Sequence, residues 1–283
     1  MVDQIIDSEG IERNCGSWPN EDGAVSSFPP TDVAGSPIPV WTDDEIRSVL
    51  TDPGRRKSDI IFPSATWICD QKSTSACNGW AASGALSRAR YLRGLNDNFV
   101  GSGSFVYSLV NGGRDQGSSL HDGLKALSDH GTCSQELCTA NMIYPSQQPP
   151  SCRTEASKHK GLACYYCPTK QAWRTATAAG FMGICCVHAG PNFNRFTTIN
   201  SGSPCTKVAG VDNGRGNHAC VISDHRLIDG VEYWLLDNSW NVGWASGGRA
   251  WVRWEHFEQT FGVHDFYVCP TTAESDIPLG ASG

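Results

Sequence analysis

Gln71-Lys72-Ser73-Thr74-Ser75-Ala76-Cys77-Asn78-Gly79-Trp80 sets a carboxamide six residues ahead of a thiol, and the thiol opens a predicted helix. Far downstream stand Asn217-His218-Ala219 and Asp237-Asn238-Ser239-Trp240. Three separated segments thus supply Gln71, Cys77, His218 and Asn238, the set that thiol-based acyl transfer needs. A thiol attacks carbonyl carbon only as thiolate, and an ordinary cysteine is mostly protonated at neutral pH. At a helix N-terminus Cys77 would meet the positive end of the dipole, and a His218 imidazolium would add a full charge. His218 would then donate its proton to the leaving group, and Asn238 would orient the ring by accepting from its other nitrogen. The Gln71 side chain and the Cys77 N–H are the candidate donors to the oxyanion.

These residues and their surroundings resemble the papain-like cysteine peptidases. His218 follows Cys77 by 141 positions, inside the family's interval of about 130–150. Asn238-Ser239-Trp240 followed by Gly243-Trp244 matches the family's Asn-Ser-Trp and Gly-Trp segments, and Asn111-Gly112-Gly113 is similar to its substrate-binding glycine pair. The resemblance covers about residues 60 to 270. It implies an α+β fold of two lobes, helical and β-barrel-like, with the cleft between them. It also implies hydrolysis of peptide bonds in a peptide or protein substrate, with no cofactor and no metal. Trp240 would shield the His218–Asn238 bond from water. Gly112, Gly113, Asn217, Trp240 and Trp244 are the residues expected to border the substrate. Thr74 stands where many members have a second cysteine, Asn78 replaces the tryptophan after the nucleophile, and Val110 precedes the glycine turn. Those departures point toward bacterial or bacteriophage members. Two other readings stay open: an enzyme passing the acyl group to an amine or cutting cell-wall peptide, and a structural or virion-associated protein on a peptidase scaffold.

Composition narrows the partners. A chain of 283 residues can bury a substantial core in one large domain or two small ones. Its net charge of -7, without a basic stripe, argues against nucleic acid. No run reaches the eighteen or so apolar residues of a membrane span; Ala178 to Val187 is short and holds Gly180 and Gly183. The acidic start, Met1-Val2-Asp3-Gln4-Ile5-Ile6-Asp7, is not that of a signal peptide. A cytoplasmic or virion-associated location is therefore expected, with secretion by another route left open. Oligomeric state is not legible. Thirteen cysteines pull toward an oxidising compartment, and their odd number leaves at least one outside internal disulfides. For Cys133, Cys138, Cys152, Cys164 and Cys167 the spacing favours disulfides or thiols over zinc.

Along the chain, residues 1–58 read as an extended arm over the body, because prolines 19, 29, 30, 37 and 39 exclude long helices while Trp18, Phe28, Ile38 and Trp41 ask for packing. Thr42 caps the one short helix there. Residues 59–168 are expected to form the helical lobe, with helices over 77–92 and 119–130, the second capped by Ser119 and ended by Gly131. Residues 169–283 are expected to form the β lobe, with a helix over 170–179 and strands near 181–188, 218–222, 231–237, 249–254 and 264–269, then a tail from about 270. His121, His130 and His225, each beside an aspartate, read as solvated faces.

Overall fold

The computed structural model describes residues 3–7, 9–18, 28–31, 36, 38–55, 68–92, 99–160, 162–258 and 266–272. Helices and a large sheet occupy separate layers, the α+β arrangement expected. The expected start of the body near Ile60 and most of the C-terminal tail lie outside the described residues.

Strands β1 (Asp3–Ile6) and β2 (Glu12–Cys15) form an antiparallel hairpin, and β3 (Ser17–Trp18) runs parallel to β4 (Ser118–Ser119). The helices are α1 (Asp43–Thr51), α2 (Cys77–Leu92), α3 (Gly103–Ser108), α4 (Leu120–His130), α5 (Ser151–Ala156) and α6 (Lys170–Ala178). Strands β5 (Leu162–Tyr166), β6 (Met182–Val187), β7 (Phe196–Thr198), β8 (Lys207–Ala209), β9 (His218–Ile228), β10 (Val231–Asp237), β11 (Arg249–Val252) and β12 (Phe266–Thr272) build one sheet, ordered β5-β12-β6-β9-β10-β11-β8-β7. β5 precedes the lobe boundary expected at 168, yet it joins this sheet. No helix of the described residues is long and apolar enough to cross a membrane. All thirteen cysteines are buried.

Helix α2 is built of small residues because it is buried on all sides. Ala81, Ala82, Ala85 and Ala89 pack against Leu124 and Leu127 of α4 on one flank and Ile184 and Val221 of the sheet on the other. Gly79 goes further: a Cβ there would overlap the Gly103 carbonyl, so the first turn of α2 touches the backbone of α3. The second core lies across the sheet and includes Phe181 together with Trp173, Trp234, Phe257 and Phe266, and the rings of the last four meet edge to face. Caps end the helices as the sequence implied, with Thr42 in a reciprocal capping box and Ser119 accepting from Asp122 N at 3.1 Å.

A backbone contact cannot yield as a side chain does, so Gly79→Ala should destabilise the chain by about 1–3 kcal/mol. Gly123→Ala in α4 meets only Asn78 Cβ at 3.4 Å and should be neutral or gain up to about 1 kcal/mol. Urea denaturation of the two variants checks this contrast; equal midpoints would contradict it.

Candidate active site

Pairing of β9 with β10 brings the start of one to the end of the other, so His218 and Asn238 meet at one end of the sheet. His218 Nε2 donates to Asn238 Oδ1 at 2.8 Å, and Nδ1 has no hydrogen-bond partner among the described residues. Trp240 lies 4.6 Å from the imidazole, centroid to centroid, and Phe193 and Trp244 complete an aromatic stack around it. Trp240 and Trp244 are fully buried in that stack, Trp240 against the imidazole and Trp244 against Phe193 and Trp240.

Cys77 is the first residue of α2 and is fully buried. The loop before it is stitched to the segment after Asn238. Gln71 N donates to Ser239 O at 2.8 Å, Asn241 N to Cys69 O at 3.1 Å, and Asp70 bridges Trp240. Ser239 Oγ donates to Gln71 Oε1 at 2.7 Å. That bond fixes which end of the amide is which and turns Nε2, the donor end, away from Ser239. Behind the site Asp237 is gripped by Arg88 of α2 at 2.8 Å, by Arg249 at 3.1 Å and by Ser223 Oγ at 2.9 Å.

The chain's own arm lies against these residues. Gln71 Nε2 donates to the Asn14 carbonyl at 3.0 Å, Ser118 N to the Gly16 carbonyl at 2.9 Å, and Ser17 N to the Asn217 carbonyl at 2.9 Å. A Cβ on Gly16 would overlap the Ser75 carbonyl, and one on Gly117 would overlap Gly16. Arg13, fully buried, ties the hairpin down through Asp7 at 2.8 Å, Asp70 at 2.6 Å and the Trp240 carbonyl at 3.1 Å. The wall that pairs with the arm is therefore Gly117–Ser119. Gly112 and Gly113 sit in the preceding turn at φ +61° and +78°, with nothing within 4 Å of an added Cβ. Gly117 shares the positive φ of that pair, and its place just before the Ser119 cap was the available sequence signal. Asn217 meets the arm through its carbonyl, while its side chain braces Ala189 and Asp3. Gly16, Ser239 and Asp115, which accepts from Ser75 N at 2.8 Å, are further site residues that sequence reasoning missed.

Electrostatics in this closed form favour neutral groups. Burial raises the Cys77 thiol, partly opposed by the N–H groups of Ala219, Gly16, Asn78 and Cys77 itself. Burial lowers His218 to about 4; the Asn238 bond opposes this, and the Arg13 charge adds to it.

No family model matches the chain. A cysteine protease of Blomia tropicalis is 27% identical over 85 residues, 30% of this chain and 24% of that protein. A probable thiol protease of Glycine max, P34, is 29% identical over 85 residues, 29% of this chain and 21% of that protein. The matched segments thus span about a quarter or less of those relatives. Among solved structures, xylellain, a cysteine protease from Xylella fastidiosa, superposes with a TM-score of 0.59 at 17% identity, over 92% of this chain and 98% of its own. Procathepsin B S9 from Trypanosoma congolense gives 0.58 at 16%, over 91% and 86%. The fold is papain-like. In this papain-like frame His218 is bonded to Asn238 and Gln71 to Ser239, and the Cys77 thiol lies against the N–H groups of Ala219 and Gly16, whereas nothing lies within 4 Å of a Cβ added at Gly112 or Gly113.

The sign of the His218 shift gives a pH dependence. An arm-displaced, hydrated imidazole would bind its proton near 6.5, whereas the closed form resists protonation until about 4. Between those values the displaced form holds more protons, so acidification moves the equilibrium toward it. Hydrogen exchange of residues 3–18, corrected for intrinsic rates, should lose protection as pH falls from about 6.5 to about 4. Unchanged protection across that range would show that His218 burial is not coupled to the arm.

Proposed function

We propose that the chain is a papain-like cysteine peptidase held latent by its own residues 3–18. What supports this reading is the papain-like fold together with an extended segment, Asn14–Ser17, that is hydrogen-bonded to Gln71, Ser118 and Asn217 beside the bonded pair His218–Asn238. Main-chain pairing of this kind accepts a peptide by its backbone and leaves side-chain choice to the pocket walls.

In the open enzyme Cys77 Sγ attacks the scissile carbonyl carbon while its proton passes to His218 Nδ1, the unoccupied nitrogen. Asn238 keeps Nε2–H engaged, so the ring presents Nδ1 throughout. Charge grows on the carbonyl oxygen, where Gln71 Nε2 and the Cys77 N–H receive it. The Asn14 carbonyl, bonded to Gln71 in the closed form, stands where a substrate carbonyl would compete. The tetrahedral intermediate collapses, His218 protonates the departing amine, and a thioester to Cys77 remains. Water then attacks the thioester with His218 as base, releasing the acid and restoring the thiol.

Turnover of a fluorogenic peptide library tests the assignment. Cys77→Ala should abolish cleavage, and Gln71→Ala should lower kcat by about 10²–10³ with the fold unchanged. Activity that survives Cys77→Ala would refute the reading. Latency is tested separately: Gly16→Ala drives a methyl group into the Ser75 carbonyl and should raise initial turnover above that of the parent chain. A Gly16→Ala enzyme no faster than the parent would leave the arm without an inhibitory part.

A further inference from the structure

Remote from the cleft, three cysteines of the helical layer converge. The Sγ atoms of Cys133, Cys138 and Cys152 all lie within 4.8 Å of one another, and all three side chains are fully buried free thiols. We propose that they form a three-thiolate site for a zinc ion. Tetrahedral zinc with Zn–S bonds of about 2.3 Å sets its sulfurs about 3.8 Å apart, a spacing that falls within the 4.8 Å that bounds this triangle. A disulfide would use two of the three and strand the last thiol in an apolar pocket. All three sulfurs instead lie close to one another, as ligands of one centre do.

The surroundings fit a soft ion. Phe105 and Ala156 line the cluster, and Leu137 and Met142 close it from the edge, which keeps water away from thiolates. Ser102 fixes two of the ligands: its N–H donates to the Cys133 carbonyl at 2.8 Å and its hydroxyl to the Cys138 carbonyl at 2.6 Å. The Met142 carbonyl lies 3.7 Å from Cys138 Sγ and the Leu137 carbonyl 3.8 Å from Cys152 Sγ, so neutral oxygen is at hand for a fourth ligand. Binding needs no oxidant. Zn²⁺ displaces three thiol protons to solvent and leaves a centre of net charge -1 before the fourth, neutral ligand.

The segment also has need of a staple. From Gly131 to Pro150 the only helix is the short 3-10 turn Pro145–Gln147, an unusually long irregular stretch for a compact domain. Ile143 in that stretch packs with Trp80 and Tyr107, and its carbonyl accepts from Asn111 at 2.7 Å. A metal holding the stretch would therefore support the outer side of the nucleophile helix.

Elemental analysis of the full chain, purified under reducing conditions without chelator, should find about one zinc per chain. Cys152→Ser should lower that content at least about tenfold, whereas Cys164→Ser and Cys269→Ser, which alter a different buried pair, should retain it. Should Cys152→Ser fail to fold, the parent chain still decides: reconstituted with cobalt(II), it should show intense thiolate-to-metal absorption and tetrahedral ligand-field bands. A zinc-free chain with no such cobalt spectrum would overturn the proposal, as would a disulfide mapped between two of the three cysteines.

Discussion

Asp237 is the point on which the architecture turns. It is buried, and Arg88 from the nucleophile helix, Arg249 from β11 and Ser223 from β9 all reach it. Helix and sheet are thereby tied through one carboxylate, one residue before the asparagine that holds His218. Removing one side of such a buried pair costs about 3–5 kcal/mol, because the remaining charge has no water to turn to. The same tie fixes distance. With α2 anchored to β10 by Arg88 and the preceding loop stitched to Ser239 and Trp240, Gln71 and Cys77 have little freedom relative to His218 and Asn238.

That rigidity gives the arm a fixed surface to pair with. Gly16 approaches that surface more closely than a residue with a Cβ could. Arg13 supplies the other half of the restraint, since its charge is neutralised by Asp7 within the arm and by Asp70 beside Gln71. Asp70, Gln71 and the Asn217 carbonyl hold the arm, and in the proposed mechanism Gln71 also faces the bond to be cut.

Much of this was legible in the sequence, for physical reasons. Gln71, Cys77, His218 and Asn238 stand out because their chemistry is rare in combination, and the Asn-Ser-Trp segment could be read whole. The long elements were readable too: Leu120, Leu124 and Leu127 mark a helix face, and Val231–Asp237 is a strand between turns. Helices α3 and α5, at six residues, are too short to show a period. The hairpin escaped notice because its most buried member is Arg13, a charge where a strand pattern asks for an apolar residue. Of the residues taken to pack the arm, Ile38 is buried but Trp18 is 44% exposed, and Arg13 and Gly16 carry that part. Gly112-Gly113 drew attention as a pair, whereas the lone Gly117 faces the arm; two turns with positive φ look alike until the backbone around them is placed.

On the proposed function, a thiol competent to attack lies beneath a displaceable arm. Reaction of the full chain with an epoxide thiol inhibitor, followed by intact mass and mapped by peptide, tests it most directly. The parent chain should be modified slowly and Arg13→Ala faster, with Cys77 the first residue labelled in both. Equal rates in the two proteins, or first labelling at another cysteine, would contradict it.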